Sequence, residues 1–273
     1  MKSLVSAFLV LLWVSAGSAA EPAAEEILRK SQEAYVALRS YVGTTTVKSK
    51  TVISAATMTQ TASAKITFVR PGRIRVEGKD VQGQPYTIVS DGAQTWLAWA
   101  FQNEGRFQKA ESLEMAVSAM TGVAAQAPTA IPAALIPLRW GYPWVPTAPA
   151  QLVGREAVAG VSCYKVVVKS SPGSQLTGTR TFWVDPTSFL LRQLSEEQNE
   201  QDLAQMQSRM QQMMEERAAK GSEADKQQLE TIRGMLKTAA MKSREIVQSF
   251  TIERVNAAVD GKLFRNPILP SGR

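Results

Sequence analysis

The chain has 273 residues, 44% hydrophobic and 20% charged, with a formal net charge of +7, no histidine and a single cysteine, Cys163. That length holds one large domain or two small ones, and the composition is ordinary for a globular protein. Without histidine the commonest metal ligand and the commonest general base near neutral pH are missing. One cysteine excludes an intrachain disulfide and a cysteine-rich metal site. No Gly-rich phosphate loop or G-x-S-x-G elbow occurs either. The chain therefore reads as a non-enzyme without cofactor or metal. The positive charge suits acidic surfaces such as anionic lipid headgroups. Nucleic acid is not expected, because the basic residues are spread along strands rather than clustered among aromatics.

Residues 1–20 have the layout of a cleaved secretory leader: Lys2, an apolar run from Leu4 to Val14, and a small-residue segment ending at Ala20. No later stretch is long and apolar enough to span a bilayer, so membrane contact is transient at most. Residues 23–40 carry Ala24, Ile27, Leu28, Ser31, Tyr35 and Leu38 at helical spacing, with Glu25 and Glu26 in the first turns.

Residues 62–99 alternate with period two. Ala62, Ala64, Ile66 and Phe68 alternate with polar neighbours, Ile74 and Val76 alternate with Arg73 and Arg75, and Tyr86 and Ile88 share a face. Pro71-Gly72 and Asp91-Gly92 are turn dipeptides. The pattern predicts antiparallel strands with one buried face, over about 41–53, 57–70, 72–79, 85–90, 93–100 and 105–109. Arg73 and Arg75 point away from that face, to solvent or to a lipid headgroup.

A short helix is expected over 111–120. Residues 110–149 then carry six prolines among Leu135, Ile136, Leu138, Trp140, Tyr142 and Trp144. A disordered linker would be polar; this stretch reads as an irregular cover lying on an apolar surface. Strands return at 151–158, 161–170, 176–184 and 189–194. Residues 196–243 lose the β pattern: Leu203, Met206, Met210, Met213 and Met214, then Leu229, Ile232, Leu236 and Met241, recur at helical spacing and predict a two-helix hairpin. Taken to Glu245, this arm holds ten acids against eight bases, so the basic excess lies on the β body. A last strand is expected over 246–255.

Several segments, in order, resemble the LolA/LolB-like superfamily of periplasmic lipoprotein carriers: the N-terminal helix, F-V-R-P-G-R-I-R-V (68–76), I-V-S-D-G-A-Q-T-W (88–96), V-A-G-V-S-C-Y-K-V (158–166), F-W-V-D-P-T-S-F-L-L-R (182–192) and V-N-A-A-V-D-G-K-L-F-R-N-P (255–267). The resemblance implies an α+β fold: a curved antiparallel half-barrel whose concave side is covered by helices. It implies one domain over 21–273, with the arm at about 196–243 as an insertion, in the periplasm. It further implies an apolar cavity for lipid or lipoprotein acyl chains under a lid. The expected lining is Ile66, Phe68, Ile74, Val76, Ile88, Trp96, Leu135, Trp140 and Trp144, with Arg70 as the lid latch. The arm and the pair Arg73 and Arg75 depart from the basic carrier pattern. The alternative on the same fold is a periplasmic sensor or interaction module that meets an envelope protein through 196–243.

Overall fold

The computed structural model describes residues 21–136, 148–171, 177–220 and 241–268. Eleven antiparallel strands form one curved, open sheet in the order β6-β5-β4-β3-β2-β1-β11-β10-β9-β8-β7. In chain order these are β1 (Ser40–Ile53), β2 (Ala56–Val69), β3 (Arg73–Lys79), β4 (Pro85–Asp91), β5 (Thr95–Trp99), β6 (Gln108–Ala110), β7 (Ala150–Val158), β8 (Val161–Lys169), β9 (Thr179–Val184), β10 (Leu191–Asn199) and β11 (Met241–Val255). Two meanders, β1–β6 and β7–β11, are joined where the last strand pairs with the first, from Tyr41↔Val255 to Ile53↔Met241.

Directly paired residues share a face. One face carries the rows Leu97–Ile88–Val76–Ile66 and Val47–Gln248–Leu194–Phe182–Val166. Its apolar members belong to a core cluster that crosses both meanders. This face is covered by α1 (Ala24–Ala37), α3 (Leu113–Thr121) and α4 (Ala130–Leu135). α1 lays Ile27, Leu28, Ser31 and Tyr35 inward and packs on β7, β9 and α4. α3 starts at Ser112, whose hydroxyl accepts from the Met115 N–H at 3.1 Å, a standard N-cap. α3 packs on β4, β5 and β6, and α4 on β2. A four-residue helical turn, α2 (Ala100–Asn103), follows β5.

Two expectations are corrected. The arm does not begin at residue 196, since Glu196–Asn199 continue β10 and 241–243 already belong to β11, paired as far as Asn199↔Ser243. The strand survives this polar run because Glu196 forms an ion pair with Arg180 on β9 at 3.0 Å, both side chains mostly buried. The helix begins only where Asn199 and Asp202 bond each other's backbone N–H, at 2.9 and 3.0 Å, a reciprocal cap that fixes the start of α5 (Glu200–Lys220). The last sheet segment of the first meander is also shorter than expected: residues 105–107 are not strand, and β6 covers Gln108–Ala110. The expected leader and the second helix of the arm lie outside the described residues.

Candidate functional site

The candidate site is the covered face of the sheet together with its rim. Ile66, Phe68, Ile74, Val76 and Ile88 point into it from β2, β3 and β4, and Leu135 meets them from α4; all six are fully buried in one cluster. Expected lining residues Trp140 and Trp144 lie outside the described residues. The roof over 116–135 is built largely from small side chains: Ala116, Ala124, Ala125, Ala127, Ala130 and Ala134 are buried there, with Val117, Met120, Ile131 and Leu135 among the larger members.

Trp96 points the other way. The loop between β4 and β5, residues 91–94, pairs Ser90 with Thr95 and therefore Val89 with Trp96. Ile88 pairs with Leu97, which turns inward, and Tyr86 with Trp99, whose indole N–H donates to Asp80 at 3.0 Å. Trp96 is buried on the opposite face. Arg73 and Arg75 are on that face too, and neither is simply solvated. The C-terminal 3₁₀ turn Gly261–Phe264 packs on β3 and β4, with the Arg73 guanidinium 5.6 Å from the Phe264 ring. Arg75 pairs with Glu77 at 2.7 Å and reaches the Leu263 carbonyl at 3.5 Å. The Arg75 hydrogen bond holds the Glu77 carboxyl below its ordinary range.

Arg70 follows the end of β2 at the rim. Its Nε donates to the Leu38 carbonyl at 2.9 Å and its Nη2 to the Tyr35 carbonyl at 3.0 Å, while the guanidinium stands 5.2 Å from the Phe68 ring. Leu38 caps α1, so Arg70 binds carbonyls at the C-terminal end of the covering helix, one of which (Tyr35) also accepts the Leu38 N–H, and a cation there suits the helix dipole. Beside it, a cleft of about 550 Å³ opens between the β2–β3 and β4–β5 turns, β6, Leu113 of α3 and Ile136. That volume falls in the range of small-molecule pockets.

The floor also holds polar groups that the pattern reading passed over. Gln248, Thr45, Tyr41 and Tyr86 are buried on the covered face, and Ser31 is buried on the inward side of α1. Burial pushes the Tyr41 and Tyr86 hydroxyls well above the ordinary phenol range. Gln248 was visible in principle, as the one polar residue at an inward position of Ile246, Gln248 and Phe250. Cys163 lies on the other face, its thiol pushed up by burial and donating to the Val161 carbonyl at 3.4 Å, an arrangement that disfavours the reactive thiolate. Among the described residues no cluster of three or more metal-ligating side chains occurs, and no helix is long and apolar enough to cross a membrane.

No protein-family model matches the sequence, and no curated protein matches it. In structure the chain is similar to the Mycobacterium tuberculosis lipoprotein LppX, at 14% identity and a TM-score of 0.43 over 87% of this chain and 97% of that one. It is similar to LprF from Mycobacterium bovis at 13% identity and 0.42, over 89% and 96%. It is also similar to a LolA superfamily protein from Nitrosomonas europaea at 11% and 0.31, over 91% and 100%. With its strands in one open, curved antiparallel sheet and its helices over one face, the chain is an α+β half-barrel.

Proposed function

We propose that the chain is an exported, periplasmic carrier that binds lipids or acylated lipoproteins, holding acyl chains against the covered face and releasing them when the roof shifts. The observation that carries this reading is the pairing of a wide apolar floor with a light roof. The floor runs through both meanders and is apolar except for a few buried polar groups such as Gln248 and Thr45. Beside α1, the roof is short helical pieces rich in alanine, not a second sheet. Each methylene taken from water contributes about 0.8 kcal/mol, so an acyl chain of a dozen methylenes gains roughly 10 kcal/mol, while each roof alanine it displaces gives up about one methyl's worth. Exchange of roof for ligand is therefore favourable without unfolding the sheet. Arg70 is the latch in this scheme, because it ties the end of α1 to the rim beside the 550 Å³ cleft. Purified, delipidated chain lacking residues 1–20 should take up a diacyl phospholipid, seen as a mass increment in native mass spectrometry. A chain that neither carries nor takes up any amphiphile overturns the reading.

A second reading rests on α5. It packs on β10 and β11 through Leu203 yet leaves Gln201, Gln205, Ser208, Arg209 and Gln212 exposed. That stalk suits docking of an envelope protein, and loss of a partner with retained lipid uptake after removal of the arm is its signature.

A further inference from the structure

We propose that the floor of the covered face contains a polar subsite, formed by Gln248, Thr45, Tyr41 and Tyr86, that binds the neutral ester or amide linkage of an acylated ligand. The inference rests on the lipid-binding reading above and specifies where the polar part of the ligand sits. Gln248 and Thr45 are both 0% exposed. Neither the amide oxygen nor the amide nitrogen of Gln248 has a hydrogen-bond partner among the described residues, and the same holds for Thr45 Oγ1, the Tyr41 and Tyr86 hydroxyls, and Ser31 Oγ on the roof. Folded chains leave few buried polar atoms unpaired, and each such atom calls for a reason. Gln248, Thr45, Tyr41 and Tyr86 share the covered face, on β11, β1 and β4, whereas Arg75 Nε lies on the opposite face.

The register shows how. Thr45 pairs with Ala64 and Phe250, and its neighbour on the same face, Val47, pairs with Ala62 and Gln248. The Tyr41 ring runs along β1 so that its hydroxyl stands where a Cβ on Gly43 would be. The Tyr86 ring crosses to β3, its hydroxyl 2.5 Å from the place of a Cβ on Gly78, and Gly78 pairs with Ala64. The polar atoms thus surround the smallest residues of the floor, Gly43, Ala62, Ala64 and Gly78. Along β1 the set spans about 14 Å from residue 43 to 47, and neighbouring strands add about 4.8 Å each. Those dimensions suit the linkage region of one acylated molecule.

The chemistry of the set selects the ligand class. A glutamine amide offers one acceptor and two donor hydrogens, and the hydroxyls donate to carbonyl oxygen. None of the four carries charge at neutral pH. The ion pair in the next row, Arg180 with Glu196, is mutually compensated. Such a floor stabilises a neutral carbonyl and offers nothing to a phosphate or carboxylate, whose burial unpaired would be far more costly.

The test compares a diester phosphatidylcholine with its diether analogue of equal chain length, in competition for delipidated chain lacking residues 1–20 and read by native mass spectrometry. The wild type should favour the ester by about 5- to 10-fold, the worth of one or two hydrogen bonds. Gln248→Leu and Thr45→Val should bring that preference close to one. Without lipid, Gln248→Leu should melt a few degrees higher than the wild type, because an apolar group replaces an unpaired one. An equal preference in the wild type, or an unaltered preference in both variants, overturns the subsite and assigns the orphans to ordered water. If Gln248→Leu fails to fold, Thr45→Val and the wild-type ratio decide. Uptake of neither lipid by the wild type removes the lipid-binding reading itself.

Discussion

Asp185 illustrates how a single side chain holds a corner of this sheet. It opens the turn after β9, where Oδ1 accepts from the Thr187 and Ser188 N–H groups at 2.9 and 3.1 Å, and Oδ2 receives the Arg192 fork at 3.2 and 2.7 Å. Burial raises the carboxyl's pKa, but the Arg192 hydrogen bonds and the two backbone donors outweigh it, and the net shift is downward from 3.8. A carboxylate depressed in the folded state adds stability that is full above its unfolded value and is lost as pH falls through the folded one. Asp185→Asn should therefore cost about 1–3 kcal/mol at pH 7, the worth of hydrogen bonds to a charged group. The gap between variant and wild type in urea denaturation should shrink as pH drops below about 4. A gap that stays constant from pH 7 to pH 2 would mean that the charge contributes nothing. Trp96 shows the residue-scale limit of reading from sequence. Its alternation with Leu97 is plain, yet which of the two turns inward depends on a four-residue loop, residues 91–94, and one residue more or less exchanges the faces. By contrast Ile66, Phe68, Ile74, Val76 and Ile88 were legible, because no turn intervenes within each of their strands.

At the scale of elements, the tie between Arg70 and α1 is the contact most directly linked to opening. α1 ends without a basic residue in its own last turn, so the cation that its C-terminal carbonyls favour comes from the rim of the sheet instead. Arg70→Ala should loosen α1 without disturbing the pairing of β2 with β3, which runs from Ser63↔Lys79 to Val69↔Arg73 and does not use the side chain. Hydrogen exchange should quicken several-fold over residues 24–38 and stay unchanged over 63–79, with lipid loading correspondingly faster. Arg70→Lys should recover little, since a single ammonium lacks the planar fork that reaches two carbonyls. Unchanged exchange in α1 would remove Arg70 from the latch role. The helix itself was readable from its stripe. The contact was not a product of pattern, because the two partners are 32 and 35 residues apart and meet through the pairing of β1 with β2, whose end Ser40↔Val69 sets Arg70 beside Arg39; the family resemblance alone pointed to Arg70.

At the scale of the whole molecule, the question is whether the arm belongs to the fold or is carried by it. The pairing of β10 with β11 answers in structural terms. It runs in unbroken register from Gln193↔Ser249 to Asn199↔Ser243, so the two strands already stand side by side where the chain leaves the sheet. Two directly paired residues are what a two-residue hairpin loop requires. Replacing residues 200–242 with Asn-Gly should therefore close the sheet on itself. The main loss is the packing of Leu203, which is fully buried against the strands, about 2–3 kcal/mol, together with the terminal pairing Ile53↔Met241 at the start of β11. The shortened chain should melt cooperatively within about 10 °C of the wild type. Because the covered face and the Arg70 rim lie outside the excised segment, lipid uptake should persist. A shortened chain that folds but no longer binds lipid would place the ligand on the arm and reverse the assignment of floor and roof made above. Retained uptake would establish the half-barrel as the carrier and leave the arm free to specify with whom it meets.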